Sequence, residues 1–337
     1  MVKCEPGAGK RRRSVNRIAV IDDWQNIARR SANWSALMAR ADVQFFEAPF
    51  TDENDAARRL ADFDIVLATR ERTPFPASLV ARLPKLKMFG LTGARAALID
   101  SAALTAQGVT VCYTGGGPSG TSTAELALGL MLAAARRIPA GDAAVRDGRF
   151  QTGTEAGHIL EGKTVGLIGL GRIGARMAGY CGALGMKVLA WSQHLSAETA
   201  AAAGAVRVGK DELLSAADVV SLHLVLSDRT RGILGAADLA RMRPGAILVN
   251  TARAQLVDEA ALMAAVESRR LIAALDVFYR EPLPAGHPLA RAPNVVLTPH
   301  LGYSAVEVYR EYYAHAVENA LAFLDGNPIR VLQAASR

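Results

Sequence analysis

VGLIGLGRIG, residues 165–174, is the stretch that decides the fold of this chain. An apolar run leads directly into three glycines spaced G-x-G-x-x-G, and apolar residues then recur at helical spacing. The pattern predicts a strand, a tight turn and a helix. The first glycine allows the turn, the second lets a pyrophosphate approach the backbone, and the third lets the helix pack closely. We therefore predict a dinucleotide site formed by Gly169, Gly171, Gly174 and the N–H groups of Arg172 and Ile173 at the helix start.

Length and composition suit a protein with two packed domains. The chain has 337 residues, of which 50% are hydrophobic and 21% are charged. Four of the charges behind the net value of +7 lie in Lys10–Arg13, within a basic tail that we expect to be flexible, and the rest are interspersed with acids. This distribution argues against nucleic-acid binding. No apolar run is long enough to span a bilayer, so we expect no membrane contact.

Cysteine usage and the N-terminus indicate the compartment. Cys4, Cys112 and Cys181 are scattered and form no C-x-x-C pair, which fits a reduced protein without disulfides or a metal site. Residues 1–14 contain no apolar core of a secretory signal. We therefore expect a cytoplasmic protein.

Strand and helix patterns alternate over the first part of the chain, which predicts a parallel sheet with helices on both faces. The predicted strands are Arg17–Ile21, Val43–Phe46, Ile65–Ala68, Leu86–Phe89 and Val109–Cys112. The predicted helices are Trp24–Met38, Asp52–Leu60, Pro76–Leu83 and Ala96–Ala106. These elements form a small doubly wound domain.

A second alternating series begins after Gly115–Gly120, which we interpret as a linker because no Gly-Lys-Ser/Thr follows it. A long helix is predicted over Thr123–Arg146. Six strands then match a complete dinucleotide-binding sheet: Val165–Ile168, Val188–Trp191, Val219–Leu224, Ala246–Asn250, Ala273–Val277 and Val295–Thr298. We expect the last helix, Ala305–Leu324, to return to the first domain. The predicted division is a tail at 1–16, a substrate domain at 17–122 and 305–337, and a nucleotide domain at 123–304.

Polar residues follow three consecutive strands of the second series. Arg253, Glu281 and His300 each come just after a strand ends. Ligands bind beyond the carboxyl ends of strands in open parallel sheets. Each residue alone has a structural explanation, but together they predict a catalytic site.

At this point the chain resembles the D-isomer-specific 2-hydroxyacid dehydrogenase family. The resemblance covers Arg17 to Leu332 and rests on several motifs in the same order. They are EGKTVGLIGLGRIG (161–174), DVVSLHLVL (218–226), NTAR and VDEAAL within 250–262, ALDVFYREPL (274–283) and TPHLG (298–302). The resemblance implies an α/β protein of two doubly wound domains: a flavodoxin-like substrate domain and a Rossmann dinucleotide-binding domain. It also implies a homodimer.

The activity implied by the resemblance is hydride transfer between NAD(P) and a 2-oxo or D-2-hydroxy acid. His300 would be the general acid/base, Glu281 would orient it, and Arg253 would bind the substrate carboxylate. The backbone N–H groups of Thr92 and Gly93 would complete the carboxylate site. The substrate tail would be met by Arg70 and Arg72.

On the cofactor side, the resemblance implies contacts that continue beyond the glycine turn. The implied residues are Ser192, Leu224, Val225, Thr230, Thr251, Ala252, Asp276 and Gly302, with Asp276 taking the nicotinamide carboxamide. Two positions depart from the family pattern, since Ala254 replaces a usual glycine and Val225 a common proline.

The choice of cofactor depends on the end of the second strand of the nucleotide domain. A carboxylate there bonds the ribose of NAD, but this chain has Ser192-Gln193-His194 and no arginine for a 2′-phosphate. We therefore expect either NAD or NADP to serve. Two alternatives stay open: a cofactor-sensing binding protein without turnover, and formate oxidation, which His300 disfavours.

Overall fold

The computed structural model describes residues 15–70, 72–93 and 98–332, and these divide into two compact units. The first unit contains the chain up to Gly117 and again from Val306, and the second runs from Pro118 to Ala305. The predicted division lay at 122/123 and 304/305. Residues 1–14 of the predicted tail lie outside the described residues, and Asn16 already begins a strand.

The first unit is built on one parallel sheet of five strands. They are β1 (Asn16–Ile21), β2 (Ala41–Phe45), β3 (Ile65–Ala68), β4 (Met88–Leu91) and β5 (Thr110–Tyr113). Their order is β2-β1-β3-β4-β5. This is the order of flavodoxin-like folds, so the predicted fold class is confirmed.

Among the described residues, five α-helices of this unit precede the second unit in the chain. They are α1 (Ala28–Ser31), α2 (Ser35–Met38), α3 (Glu53–Leu60), α4 (Ala77–Val80) and α5 (Ser101–Ala106). The single helix predicted over Trp24–Met38 is wrong, because Ala32 is extended with a φ of −148°. Trp34 Nε1 donates to the carbonyl of Ala28 and so takes an acceptor that a continuous helix would use.

The second unit contains a parallel sheet of seven strands. They are β6 (Thr164–Ile168), β7 (Lys187–Trp191), β8 (Val206–Arg207), β9 (Val219–Leu222), β10 (Ile247–Asn250), β11 (Ile272–Leu275) and β12 (Val295–Leu297). The order β12-β11-β10-β9-β6-β7-β8 contains the Rossmann arrangement, with the chain reversing direction across the sheet between β6 and β9. The six predicted strands are present, and the two-residue strand β8 was not predicted.

Seven helices belong to the second unit. They are α6 (Ser119–Ala135), α7 (Ile138–Arg146), α8 (Arg172–Ala183), α9 (Ala197–Ala202), α10 (Lys210–Ala216), α11 (Ala236–Arg241) and α12 (Glu259–Glu267). The long helix predicted over Thr123–Arg146 is therefore two helices. Arg137 breaks it with a left-handed φ of +56°, and Pro139 lies in the first turn of the next helix, where a proline is tolerated.

The last helix, α13 (Val306–Leu324), belongs to the first unit. Tyr309, Tyr312 and Tyr313 are buried on it. The hydroxyl of Tyr313 shares a 2.9 Å hydrogen bond with Thr69 at the end of β3, and Asn319 Nδ2 donates to the carbonyl of Tyr113. Within the described ranges, neither this helix nor any other combines the length and apolar character needed to cross a membrane.

Candidate active site

The glycine turn after β6 has the geometry that a dinucleotide requires. Gly169 has a φ of +99°, which favours glycine. A Cβ at position 174 would lie 2.1 Å from the carbonyl oxygen of Gly169, so only glycine allows α8 to approach the turn this closely. A Cβ at position 171 would meet no atom within 4 Å, so that position faces open space. The three glycines therefore have three separate roles.

The open space beside Gly171 lies at the N-terminus of α8. The first N–H groups of a helix, here beginning with Arg172 and Ile173, have no acceptor within the helix. They carry the positive end of the helix dipole, which suits a pyrophosphate. The neighbouring ring of His223 is neutral at neutral pH, because burial lowers its pKa to about 4. The turn therefore fits the diphosphate of a dinucleotide.

The predicted adenosine side consists of loops after β7 and β9. Ser192 is half-buried, whereas Val225 is 77% exposed. Thr230 Oγ1 donates to the carbonyl of Val225 at 2.7 Å and accepts from the amide of Ser227 at 2.8 Å. The Thr230 hydroxyl thus shapes the loop that carries Val225, and its contact with a nucleotide stays a prediction.

The loop after β10 positions Arg253 through a buried asparagine. Asn250 Oδ1 accepts from the amide of Ala252 at 3.0 Å, and Asn250 Nδ2 donates to the carbonyl of Arg253 at 2.9 Å. Between them, Thr251 Oγ1 is buried and has no hydrogen-bond partner among the described residues. A buried hydroxyl without a partner is unusual, which fits a ligand contact at this strand end.

Glu281 and His300 are in direct contact. His300 Nδ1 and Glu281 Oε2 are 2.6 Å apart, and both side chains are about one-third exposed. His300 has a left-handed φ of +56°, uncommon for a residue with a side chain. Glu281 Oε1 also accepts from the amide of Phe278 at 2.9 Å. The two residues that follow β11 and β12 are thus joined by a hydrogen bond.

The electrostatic surroundings of Glu281 favour its ionised form. Burial alone raises its pKa, but the hydrogen bond and charge of His300, the Phe278 amide and the charge of Arg253 together lower the pKa below its usual value. An ionised carboxylate only accepts hydrogen bonds, so His300 Nδ1 is the donor of this pair. The Nε2 atom is then the nitrogen that Glu281 does not engage.

Asp276 is fully buried and anchors the loop that carries His300. Its Oδ1 accepts from Thr298 Oγ1 at 2.6 Å and from the Leu301 amide at 2.7 Å, and its Oδ2 accepts from the Gly302 amide at 2.8 Å. Burial raises its pKa, and these donors and the charge of His300 oppose that rise. The role of Asp276 toward the nicotinamide carboxamide stays a prediction.

Sequence reasoning missed the residues that brace this site. Asn250 lies in the NTAR motif and was given no role, although an asparagine at the last position of a strand is a signal for an Asx turn. The carbonyl of Gly302 accepts from both Ser122 Oγ and Thr123 Oγ1 on α6 at 2.9 Å. No local signal pointed to this second contact, because it joins residues 180 and 179 positions apart.

The predicted substrate residues of the first unit have partners inside that unit. The amide of Thr92 donates to the carbonyl of Ala68 at 3.3 Å, and the amide of Gly93 donates to Thr114 Oγ1 at 3.1 Å. Both amides therefore already have an acceptor within this unit. If the two amides also bind the substrate carboxylate, as predicted, each N–H group must be shared between its present acceptor and a carboxylate oxygen.

The two arginines after β3 differ in their surroundings. Arg70 has a φ of +59°, and its amide donates to Thr92 Oγ1 at 2.6 Å. The guanidinium of Arg72 donates to the carbonyl of Asp22 at 2.7 Å and lies 4.9 Å from the ring centroid of Trp24. Arg72 thus contributes to packing of the first unit, and substrate contact by either arginine stays a prediction.

Comparisons with known proteins show which family the chain resembles. The sequence model for "D-isomer specific 2-hydroxyacid dehydrogenase, NAD binding domain" matches residues 128–302. A D-3-phosphoglycerate dehydrogenase of Archaeoglobus fulgidus is 38% identical over 265 residues, which are 78% of this chain and 50% of the relative. A glyoxylate reductase of Aeropyrum pernix is 38% identical over 256 residues, covering 74% of this chain and 76% of that protein.

A solved structure shares the whole architecture. The phosphoglycerate oxidoreductase of Vibrio cholerae is 38% identical, with a TM-score of 0.87 over 92% of this chain and 99% of that one. The chain spans about half the length of the D-3-phosphoglycerate dehydrogenases that it matches. The matched family model covers more than half of the chain and includes both the glycine turn and the loop of His300. The chain therefore belongs to the D-isomer-specific 2-hydroxyacid dehydrogenase family.

Proposed function

We propose that the chain is an NAD(P)-dependent oxidoreductase that interconverts a 2-oxo acid and a D-2-hydroxy acid. The observation that carries this proposal is the 2.6 Å contact between His300 Nδ1 and Glu281 Oε2, beside the cation of Arg253. It lies at the carboxyl edge of the sheet that carries the glycine turn. A dinucleotide-binding protein without turnover has no need of such a pair.

The pair supplies a proton at a defined atom. In the reductive direction, protonated His300 donates from Nε2 to the carbonyl oxygen of the 2-oxo acid. The Glu281 carboxylate stabilises the charged imidazolium and holds the ring through Nδ1. In the oxidative direction, neutral His300 accepts the hydroxyl proton at Nε2. A bound nicotinamide would supply or accept the hydride.

Arg253 would bind the substrate carboxylate. A guanidinium presents paired N–H donors that match the two oxygens of a carboxylate. Asn250 fixes the backbone on both sides of Ala252, so the arginine extends from a braced loop. The positive charge of Arg253 would also polarise the neighbouring carbonyl group of the substrate, which makes the carbonyl carbon more electrophilic.

The residues of the glycine turn would hold the cofactor diphosphate, and Thr251 with Ala252 would face the nicotinamide. The segment that would meet the adenosine ribose discriminates less between NAD and NADP. Ser192, Gln193 and His194 follow β7 where an NAD-selective protein has a carboxylate. No carboxylate of this segment repels a 2′-phosphate, so we infer that NADH and NADPH both serve.

The substrate belongs to the small 2-oxo and 2-hydroxy acids. The names of the relatives, D-3-phosphoglycerate dehydrogenase and glyoxylate reductase, give two test compounds of this class. The assay measures NADH and NADPH oxidation with glyoxylate and hydroxypyruvate, and reduction of either cofactor with D-3-phosphoglycerate. Tight cofactor binding without turnover on any of them would contradict the proposal and favour a cofactor sensor.

We also infer that the protein is a homodimer. Exposed apolar side chains cluster along α7 and the segment after it: Ile138 (55% exposed), Val145 (63%), Phe150 (72%) and Ile159 (73%). Formation of a twofold-symmetric dimer would remove these side chains from water.

A further inference from the structure

The segments by which the chain enters and leaves the second unit are tied together inside that unit. The chain enters at Pro118 and leaves at Ala305. Close to these points, the carbonyl of Gly302 accepts from Ser122 Oγ and from Thr123 Oγ1, each at 2.9 Å. Both hydroxyls belong to the first turns of α6, and both side chains are half-buried. The start of α6 thus holds the loop that follows β12.

Both polar groups of the Gly302 backbone are held in this loop. Its amide donates to Asp276 Oδ2 at 2.8 Å, and its carbonyl accepts from the two hydroxyls. Just before it, His300 has a left-handed φ of +56°. Such a backbone costs energy in a residue with a side chain and persists only where the surroundings hold it. Asp276 holds this loop through its amides, and α6 holds it through a carbonyl.

The two hydroxyls are not equivalent donors. The Thr123 oxygen lies 2.7 Å from the carbonyl oxygen of Ser119 as well as 2.9 Å from that of Gly302. A hydroxyl carries one hydrogen, so Thr123 donates to only one of these carbonyls at a time. Its bond to Ser119 is the common bond of a threonine to its own helix. Ser122 Oγ has no second acceptor among the described residues and is therefore the steadier donor to the loop.

The helix that carries these donors is fixed in the core of the second unit. Ala124 and Ala127 of α6 are both 0% exposed, and they belong to one hydrophobic cluster with Val249 of β10 and Ala274 of β11. Packed cores of this kind resist displacement. The hydroxyls next to Ala124 therefore act from a rigid base on a loop that lies outside the strands.

From this arrangement we infer that Ser122 and Thr123 are positioning residues for His300. They hold the Gly302 carbonyl and so keep the imidazole at 2.6 Å from Glu281. Without them the loop loosens, and a neutral imidazole without a fixed partner exchanges between its two tautomers. The inference rests on the proposed function, because the position of the ring affects turnover only if His300 exchanges a proton with the substrate.

The test removes the hydroxyls with little change of shape. Ser122→Ala deletes one oxygen atom, and Thr123→Val replaces the hydroxyl by a methyl group. The double variant should lower kcat with glyoxylate or hydroxypyruvate about tenfold or more, because small displacements of a catalytic group are costly. Ser122→Ala alone should show most of this loss, since Ser122 is the steadier donor. Thr123→Ser keeps the hydroxyl and should behave like the wild type.

Thr121→Val is the matched control on the same helix. The Thr121 hydroxyl accepts from Arg176 Nε at 3.1 Å and does not contact the loop of His300 among the described residues. Its removal should leave kcat unchanged. Urea unfolding of each variant shows whether it folds, and Ser122→Ala carries the test by itself if the double variant does not fold.

A second readout is independent of turnover. Long-range ¹⁵N–¹H NMR spectra of the full chain, labelled at the histidine nitrogens, report which ring nitrogen carries the hydrogen. The signals of His300 are those lost in His300→Asn. At about pH 9, where an imidazole is ordinarily neutral, the wild type should show the Nδ1–H form that Glu281 selects. The double variant should show both tautomers.

The two readouts separate this inference from the proposed function. An unchanged tautomer of His300 in the double variant and in Ser122→Ala would overturn the inference, whatever happens to kcat. The same shift in Thr121→Val would also overturn it, because the effect would then be a general loosening of α6. A shifted tautomer with unchanged kcat would support the positioning by α6 and contradict the proposed role of His300 in turnover.

Discussion

Glu281 accepts the Nδ1–H of His300 at 2.6 Å and so leaves Nε2 as the imidazole nitrogen that this contact does not use. Since the pKa of Glu281 is lowered, its carboxylate is ionised at neutral pH, and the pair is lost only on acidification below the usual glutamate range. The contact also compensates for the uncommon backbone of His300, whose φ is +56°.

Replacing either member of this pair separates their roles. His300→Ala removes the proton donor and should lower kcat by about 10²- to 10⁴-fold. Glu281→Gln keeps a group of the same shape but removes the charge, and should lower kcat by about tenfold or more while cofactor affinity stays the same. Steady-state kinetics and cofactor titration by fluorescence provide the measurements. Near-normal kcat in His300→Ala would refute its role as acid/base.

The glycine turn offers a matched pair of substitutions in one helix. Gly174→Ala places a Cβ 2.1 Å from the Gly169 carbonyl and should destabilise the protein by about 3 kcal/mol. Gly179→Ala, on the exposed side of α8 with no atom within 4 Å of the new Cβ, should stabilise it by about 0.5–1 kcal/mol. Urea unfolding measures both values, and equal effects would contradict the close approach of helix and turn.

Gly171→Val tests the diphosphate site without disturbing the fold. Because the new side chain would project into open space, the free energy of unfolding should change little. The side chain would occupy the volume of the pyrophosphate, so the KM for NADH should rise about tenfold or more. An unchanged KM would show that the cofactor does not dock at this turn.

Cofactor selectivity should be weak. With Ser192 after β7 in place of a carboxylate, kcat/KM for NADH and NADPH should differ by less than about a hundredfold. Ser192→Asp should shift the ratio toward NADH by repelling the 2′-phosphate. A wild-type preference for NADH above that limit would contradict the expectation of relaxed choice.

Asp22 should make the stability of the protein depend on pH. It is 1% exposed, and burial raises its pKa to about 6, against which the hydroxyl and amide of Thr73 act. A raised carboxyl pKa means that folding favours the protonated form, so stability is lost as pH rises from about 4 to about 6. Asp22→Asn should gain up to about 3 kcal/mol over the wild type between pH 4 and 7.

Urea unfolding across this pH range measures the effect of Asp22, with Asp42→Asn as the control for an exposed carboxylate. The asparagine amide can accept from Thr73 through Oδ1 and donate to its hydroxyl through Nδ2, so the variant should fold. A constant difference between the Asp22→Asn variant and the wild type at all pH values would contradict this assignment.

The proposed dimer is tested by removing its apolar surface. Phe150→Ser with Ile159→Ser should yield a monomer by light scattering, because both side chains are more than 70% exposed in the single chain and would lose their burial. Val206→Ser removes an exposed apolar side chain on β8 and should leave the oligomeric state unchanged. A wild-type protein that is already monomeric would contradict the proposal.

Much of the sheet architecture was predictable because buried parallel strands are continuous apolar runs. Ile65–Ala68 was predicted with the bounds observed, and β9 was predicted only two residues too long. The break at Arg137 was not predicted, since neither Arg136 nor Arg137 is a helix breaker and the signal of Pro139 lies beyond it. Strand β8 has only two residues, Val206 and Arg207, which no hydrophobic period can reveal.

The candidate site could be predicted only where polar residues directly follow the predicted strands. Arg253, Glu281 and His300 were predicted in this way, and the structure brings Glu281 and His300 into contact. The partners of the Thr92 and Gly93 amides depend on packing between strands, and the Gly302 carbonyl depends on α6, so neither was available from local sequence.

Because Asp276 anchors the loop of His300, its hydrogen bonds determine which positions of this loop can be substituted. Two of its three partners are backbone amides, those of Leu301 and Gly302, which every residue but proline provides. The placement of His300 therefore depends on Asp276, much earlier in the chain, and does not involve the side chain at position 301. Position 302, in contrast, is restricted to a small residue, since a Cβ there would lie 3.3 Å from both Asp276 and Thr123. Library design for altered substrate preference can thus randomise position 301 while the acid/base geometry is retained.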